Sequence, residues 1–441
     1  MIPKIETATP EEIKIFQENL LSKTLQYVAE NSPYYKALFK NEAVAIEAIS
    51  TIEDLRQIRV TTKADLQQFN DDFMCVPTNE IIDYATTSGT LGDPVTFGLT
   101  DSDLDRLAYN EAISFDCAGI KEGDIVQLMT TMDRRFMAGL AYFLGLRKMK
   151  VGVIRVGAGI PELQWDSIRK YKPTHLITVP SFLLKLIEYA EAHGIDYNNC
   201  GVKGAICIGE SLRNQDFSAN TLAKKIGEKW GITLYSTYAS TEMSTAFTEC
   251  AQGIGGHHHP ELIIVETVDD NDNPTADGEP GELVITTLGV EAMPLIRFKT
   301  GDIVQLHREP CACGRTTLRV GPVIGRKQQM IKYKGTTLYP PAMTDVLHDF
   351  ENIESHVIEI STNELGTDEI VIRLAVKQQT DSFLREIKDH FRAKLRVTPT
   401  IEFTTKEVLN PLIFNPMSRK PVHFFDKRIL NPDPSPKERG A

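Results

Sequence analysis

Apolar residues recur along this chain with two periods, and the period changes with position. Near the start, Thr9-Pro10-Glu11-Glu12 has the grammar of a helix beginning: Thr9 as N-cap, Pro10 at the first helical position, and Glu12 placed to complete a capping box. Phe16, Leu20, Leu21, Leu25 and Val28 follow at helical spacing up to Ser32-Pro33, where proline disfavours helical backbone in the residue before it. Short apolar runs at residues 124–129, 150–156, 175–179, 204–208 and 233–235 then alternate with helical patterns. Strands alternating with helices predict a largely parallel sheet covered on both faces, and ligands of such sheets sit at the carboxyl ends of the strands.

Residues 262–266 and 281–287 read as strands of a more β-rich region, separated by the turn-rich Asp269-Asp270-Asn271-Asp272-Asn273-Pro274. From about Arg326 the pattern changes again. Residues 370–376 are a strand candidate, Phe383, Leu384, Ile387, Phe391 and Leu395 recur at helical spacing, and Ile401-Glu402-Phe403 reads as a further strand. The expected fold is α/β: a large N-terminal domain over residues 1–325 with mostly parallel sheets plus a β-rich region, followed by a small α+β C-terminal domain over residues 326–441.

Composition narrows the function classes. At 441 residues the chain exceeds the size at which one core stops growing, and 41% hydrophobic with 24% charged residues is ordinary for a soluble globular protein. No apolar run reaches the roughly 18–20 residues that cross a bilayer. The start, Met1-Ile2-Pro3-Lys4-Ile5-Glu6, lacks the basic and apolar segments of a secretory signal, so a cytoplasmic protein without membrane contact is expected. Seven cysteines, an odd number, suit a reducing compartment better than a disulfide framework. A net charge of −12 argues against nonspecific nucleic-acid binding and leaves a nucleotide ligand open.

The candidate chemistry concentrates in Tyr84-Ala85-Thr86-Thr87-Ser88-Gly89-Thr90-Leu91-Gly92-Asp93-Pro94. Glycine lets backbone N–H groups converge on an anion, and serine and threonine hydroxyls add donors that pivot toward different oxygens. A polar turn between strands is the other reading, and the missing Gly-Lys-Ser/Thr ending excludes the common P-loop. Residues Thr87-Ser88-Gly89-Thr90-Leu91-Gly92-Asp93-Pro94 resemble the phosphate loop of the adenylate-forming (ANL) superfamily, Ser/Thr-Ser-Gly-Thr-Thr-Gly-Lys-Pro, with Asp93 at the lysine position. The resemblance implies that Ser88, Gly89, Thr90 and Gly92 bind ATP.

Further motifs follow in the superfamily's order. Tyr238-Ala239-Ser240-Thr241-Glu242 resembles Tyr-Gly-x-Thr/Ser-Glu, although Thr-Glu after a strand, taken alone, is a helix N-cap. By resemblance Tyr238 and Ala239 lie by the adenine, Thr241 bonds the α-phosphate and Glu242 ligates the Mg²⁺ that neutralises the triphosphate. Ile208-Gly209-Glu210-Ser211 matches the adenine-side segment, and Thr300-Gly301-Asp302 the motif whose aspartate accepts both ribose hydroxyls. The run Glu291-Ala292-Met293-Pro294-Leu295-Ile296-Arg297-Phe298 is close to the phenylacetate-CoA ligase branch. Ser32-Pro33-Tyr34-Tyr35 and Thr62-Lys63-Ala64-Asp65-Leu66 also resemble that branch, or are helix caps alone.

Gly325-Arg326 resembles the start of the interdomain hinge, which implies Arg326 near the ribose and Gln328 at the hinge position, where acidic residues are usual. Ile331-Lys332-Tyr333-Lys334-Gly335 resembles the loop that lets the pantetheine arm pass, implying CoA contacts at Lys334 and Gly335. Lys420, in Asn415-Pro416-Met417-Ser418-Arg419-Lys420-Pro421, aligns with the C-terminal catalytic lysine, with Arg419 where glycine is usual. A cation bridging the attacking carboxylate and the α-phosphate would stabilise the adenylation transition state.

Cys311-Ala312-Cys313 is a tight thiolate pair, and Cys250-x6-His257 could complete a tetrahedral zinc site; free cysteines with a chance His257-His258-His259 run are the alternative. The resembling branch carries Glu-Cys, Leu-His and Pro-Cys-x-Cys-Gly-Arg at these places, which implies a closed, structural Cys3His zinc site with His257 as the histidine ligand. Where that branch has an aromatic, glycine-rich acyl segment, this chain has Met129-Thr130-Thr131-Met132-Asp133-Arg134-Arg135-Phe136. Its arginine pair could read an anionic acyl group, stand in for the loop lysine, or be a solvated loop.

The resemblance implies an ATP-dependent, AMP-forming acid–thiol ligase that uses Mg²⁺ and CoA, with catalytic residues Lys420, Thr241 and Glu242. A small carboxylic acid becomes an acyl-AMP, and CoA attacks the mixed anhydride after the mobile small domain reorients. Alternatives are an adenylyltransferase, a ligase with an amine or carrier-protein acceptor, and a weakened nucleotide-binding protein. Homodimers are common in the resembling branch.

Overall fold

The structure, a computed structural model, describes residues 2–87, 95–333, 336–363, 367–414 and 421–428. The chain divides into two compact units, Met1–Val323 and Ile324–Ala441.

The first unit opens with α1 (Pro10–Asn31), begun by a capping box between Thr9 and Glu12. Leu21, Leu25 and Val28 are buried, but Phe16 is 36% exposed, against the expectation that it joins the apolar face. Gln17 takes the inward position instead, because its amide donates to the Pro260 and Ile263 carbonyls at 3.1 and 2.9 Å and so satisfies both. Ser32 ends α1 and caps α2 (Pro33–Asn41), and Thr62 with Asp65 forms a second capping box at α3 (Lys63–Gln68). The strands β1 (Asp83–Thr86) and β2 (Thr96–Leu99) pair antiparallel. Ser88, Gly89, Thr90, Gly92 and Asp93 lie outside the described residues.

An alternation then follows the sequence pattern: α4 (Asp101–Cys117), β3 (Ile125–Leu128), α5 (Met137–Lys148), β4 (Gly152–Arg155), α6 (Pro161–Tyr171), β5 (His175–Thr178), α7 (Pro180–Ala192), β6 (Gly204–Cys207), α8 (Thr221–Lys229) and β7 (Thr233–Ser240). Strands β4, β3, β5, β6 and β7 lie side by side and parallel. Both β5 and β6 are buried at every position, so neither shows the in–out burial alternation of a half-exposed strand. The chain leaves β3 for β4 on one side and returns to β5 on the other. That order puts a topological switch point between β3 and β5, where a crevice opens at the carboxyl ends of strands.

The β-rich region comprises β8 (Thr245–Thr248), β9 (Gly256–His257), β10 (Ile263–Val268), β11 (Gly281–Thr287), β12 (Phe298–Val304), β13 (Leu306–His307) and β14 (Arg319–Val320). Strands β8, β9, β14 and β13 extend the sheet beyond β7 with antiparallel pairing. The parallel character thus ends at β7, because β7 and β8 join through a tight turn that only antiparallel strands can share. Strands β10, β11 and β12 pair antiparallel.

The second unit holds β15 (Gly325–Arg326), β16 (Ile331–Tyr333), β17 (Thr336–Leu338), α9 (Pro340–His348), β18 (Ile353–Thr362), β19 (Asp368–Val376), α10 (Asp381–Leu395), β20 (Thr400–Thr404), α11 (Lys406–Ile413) and β21 (Phe424–Asp426). Its main sheet runs β20-β19-β18-β21, antiparallel in the centre and parallel at both edges. Helix α10 buries Ile387 and Phe391 in this unit's core. Lys334, Gly335 and Lys420 lie outside the described residues. Among the described residues, no helix is long and apolar enough to cross a membrane.

Candidate nucleotide site and metal centre

Tyr238, Ala239 and Ser240 close β7 at its carboxyl end, and Thr241 and Glu242 form the turn into β8. No helix follows, so Thr241 is not an N-cap. The turn is made by Ser244, whose backbone is left-handed (φ 47°) and whose N–H reaches the Thr241 carbonyl at 3.3 Å. The Tyr238 ring stacks on Phe247 of β8 at 6.0 Å between centroids.

The Tyr238 hydroxyl donates to Asp302 Oδ2 at 2.7 Å. Asp302 owes its position to an irregularity in β12: opposite Glu282 and Val284 the register jumps from Ile303 to Lys299. Thr300-Gly301-Asp302 is therefore a bulge, with Gly301 at φ +79°, a backbone conformation that glycine adopts without strain. Thr300 Oγ1 donates to the Leu283 carbonyl at 3.0 Å and accepts from the Asp302 N–H at 3.2 Å, which holds the bulge. One Asp302 oxygen takes the tyrosine, and a carboxylate has further lone pairs for a diol.

Two cations that the motifs do not single out bear on the Glu242 turn. Lys63, at the first position of α3, lies 2.8 Å from Glu242 Oε1. Arg106 of α4 is buried and donates to the Ser244 carbonyl at 2.6 Å, the Leu262 carbonyl at 2.6 Å and the Leu288 carbonyl at 2.8 Å. Burial pulls its guanidinium down to about 10, so it is still charged at neutral pH. Lys63 stood inside a motif run without a role attached. Arg106 carried no signal, because its partners are backbone carbonyls.

Gly209 and Glu210 follow β6. Glu210 accepts from the Ser181 N–H at 2.9 Å and the Ser181 hydroxyl at 2.8 Å, which ties its carboxylate to the first turn of α7. Arg134 and Arg135 are exposed, both with left-handed backbone, and the Arg135 carbonyl accepts the Thr86 N–H at 3.0 Å. In the second unit, Arg326 and Gln328 are exposed. Arg428 donates to the Gln328 and Met330 carbonyls at 3.1 and 2.8 Å and pairs with Asp368 at 3.1 Å, anchoring this segment on β19.

The second constellation is a candidate metal centre. Cys250, His257, Cys311 and Cys313 bring their ligand atoms within 4.8 Å of one another. The Cys250 and Cys311 sulfurs are 3.6 Å apart, and Cys313 Sγ is 3.5 Å from His257 Nε2. Zn–S bonds of about 2.3 Å and Zn–N bonds of about 2.0–2.1 Å give tetrahedral edges of about 3.8 Å and about 3.6 Å, so the set fits zinc. Burial pulls the His257 imidazole down to about 3, which keeps it in the neutral form a metal needs. Burial pushes the Cys250 thiol up to about 12, a cost that a cation at the centre would offset.

The neighbouring histidines have other partners: His258 Nε2 faces the Ile263 carbonyl at 2.6 Å, and His259 lies between Glu6 at 2.5 Å and Ser114 at 3.2 Å. Glu6, fully buried, also accepts from Arg315 Nε at 2.6 Å, and Arg315 donates to Cys313 Sγ at 3.6 Å. The N-terminal segment thereby supports the Cys311–Cys313 loop, a link that nothing near Glu6 in the sequence suggests.

The profile of the AMP-binding enzyme family matches residues 20–292. The chain is 30% identical over 390 residues to the phenylacetate-coenzyme A ligase of Thermus thermophilus, covering 87% of this chain and 85% of that one. To the phenylacetate-coenzyme A ligase of Escherichia coli it is 29% identical over 393 residues, covering 87% and 86%. Its fold is similar to a solved 2-hydroxyisobutyryl-CoA ligase in the postadenylation state, with a TM-score of 0.84, 23% identity, and coverage of 96% of this chain and 91% of that one. A profile match across most of the chain and relatives aligned over nearly their whole length leave one assignment: this protein belongs to the AMP-binding enzyme family.

Proposed function

We propose that the protein is an AMP-forming acid–CoA ligase, similar to the phenylacetate-CoA ligases, that acts on a small carboxylic acid. The observation that carries this reading is the Tyr238–Asp302 pair, set beside the Glu242 turn in a chain of this family. Asp302 accepts the ribose hydroxyls, and Tyr238 orients its carboxylate. Tyr238 and Ala239 border the adenine with Gly209 and Glu210, and Arg326 reaches the ribose. Thr241 bonds the α-phosphate, while Ser88, Gly89, Thr90 and Gly92 donate to the phosphates. Glu242 would hold Mg²⁺, which when bound neutralises the triphosphate charge.

In the first step a carboxylate oxygen attacks the α-phosphorus, the bond to the β-bridging oxygen breaks, and pyrophosphate leaves with the electron pair. Lys420 spans the carboxylate and the α-phosphate as this charge redistributes. In the second step the CoA sulfur attacks the acyl carbon, loses its proton and expels AMP. Residues 326–441 reorient about Gln328 between the steps, and Lys334 and Gly335 line the pantetheine path. Cys250, His257, Cys311 and Cys313 hold a structural zinc with no open position for substrate. ATP and CoA as substrates suit the cytoplasm, where the seven cysteines stay reduced.

The test is pyrophosphate release with ATP, Mg²⁺ and a panel of aryl, aliphatic and hydroxylated acids, each with and without CoA. Release that depends on one acid and turns over only with CoA is expected. Turnover with an amine or a carrier protein in place of CoA would overturn the acceptor, and silence despite ATP binding would overturn the ligase.

A further inference from the structure

The Lys63–Glu242 ion pair puts an ammonium 2.8 Å from the carboxylate proposed to hold Mg²⁺. Its placement is built into the backbone. Thr61 is fully buried and clamped to the start of β12, the strand that carries Asp302. Its N–H donates to the Arg297 carbonyl at 2.9 Å, its hydroxyl to the Ile296 carbonyl at 2.9 Å, and its carbonyl accepts the Lys299 N–H at 2.8 Å. Thr62 then caps α3, and Lys63 is the next residue. The lysine stem therefore starts from a point fixed on β12 and crosses to the β7–β8 turn. Its side chain is 34% exposed against 12% for Glu242, so the ammonium is the open end of the pair.

A single ion pair whose ammonium is one-third exposed contributes only modestly to stability, which gives no reason for so firm an anchor. The phosphate loop does give one: it has Asp93, an anion, at the lysine position of the resembling proteins. Pyrophosphate departure accumulates negative charge, and a positioned cation is what lowers its barrier. An ammonium is a compact charge on a flexible stem with three donors, so it can keep one on Glu242 and turn another to a phosphate oxygen.

We propose that Lys63 is a catalytic residue for adenylation: it pairs with Glu242 in the free enzyme and donates to a β- or γ-phosphate oxygen of bound Mg·ATP. This rests on the acid–CoA ligase reading. Lys63 keeps its proton throughout, while the bond from the α-phosphorus to the bridging oxygen breaks and the electron pair leaves with pyrophosphate. AMP has no β-phosphate, so Lys63 adds nothing to AMP affinity or to thioester formation from acyl-AMP.

Calorimetric titration of the full-length protein with α,β-methylene-ATP plus Mg²⁺, and separately with AMP, tests this without knowledge of the acid. Lys63→Met should weaken the ATP analogue by about 10- to 100-fold and leave AMP within about 3-fold. Lys63→Arg should retain most of the affinity. Unchanged analogue affinity in Lys63→Met, or a parallel loss of AMP affinity, would overturn the proposal. Should Lys63→Met not fold, analogue affinity lost in Lys63→Gln and kept in Lys63→Arg supports the proposal, and equal affinity in both overturns it. A wild-type protein that binds neither nucleotide would overturn the ligase reading itself.

Discussion

Arg106 Nη1 donates to the Ser244 carbonyl at 2.6 Å, so a helix buried in the first unit holds the turn that carries Glu242. The same guanidinium bonds the carbonyls of Leu262, before β10, and Leu288, after β11. Arg106→Met would strand the Ser244 and Leu288 carbonyls, while the Leu262 carbonyl keeps the Leu288 N–H at 2.8 Å, and should cost about 3–5 kcal/mol in urea unfolding. Pyrophosphate release should fall further than the folded fraction, because the Ser244 end of the Glu242 turn is released.

Tyr238→Phe keeps the ring stacked on Phe247 and removes only the donor to Asp302. AMP affinity should fall by about 3- to 10-fold, whereas Asp302→Ala should cost about 100-fold, since it removes the carboxylate proposed to accept the diol. Calorimetry with AMP measures both, and equal losses in the two variants would separate Asp302 from the ribose.

Lys420→Ala should lower adenylate formation by about 100-fold or more while acyl-AMP supplied in solution is converted to thioester at close to the wild-type rate. Single-turnover assays of each half-reaction check this. Equal loss in both would remove Lys420 from the first step.

The Cys3His set predicts about one zinc per chain by elemental analysis. Chelation or Cys311→Ser should lower the melting temperature by several degrees, because buried sulfurs and the Glu6–Arg315 support then lose the centre they converge on. AMP affinity should be retained wherever the protein is still folded.

Glu111 on α4 is buried, with its neighbour Asn110 donating to it at 3.1 Å, and burial pushes its carboxyl up to about 8. The folded state therefore keeps a proton that the unfolded chain has released above its ordinary value of 4.5. Its contribution to stability is fully present below that value, falls as pH rises toward about 8, and is lost above it. Glu111→Gln should flatten the melting profile across this window and raise the melting temperature at pH 8, a change differential scanning calorimetry will register.

Much of this protein was legible along its sequence. The alternation of parallel strands with helices, the helix starts at Thr9 and Thr62 and the β-rich region after residue 262 all follow from local periodicity and capping chemistry, which act over a few residues. Motif order pointed to one family, and the resemblance to that family, rather than spacing alone, pointed to Cys250, His257, Cys311 and Cys313 as one cluster. The turn at Thr241 and Glu242 was ambiguous between a cap and a site, because both need the same residue types.

Tertiary structure alone decided the rest. Gln17 displaces Phe16 from the buried face because two distant carbonyls satisfy its amide. Arg106 meets Ser244 across 138 residues, Lys63 meets Glu242 across 179, and Glu6 meets Arg315 across 309. Hydrophobic period and turn chemistry report which backbone a segment adopts and which face it buries. Which polar side chain ends within 3 Å of which partner depends on how those segments pack, and that geometry leaves no periodic trace in the chain.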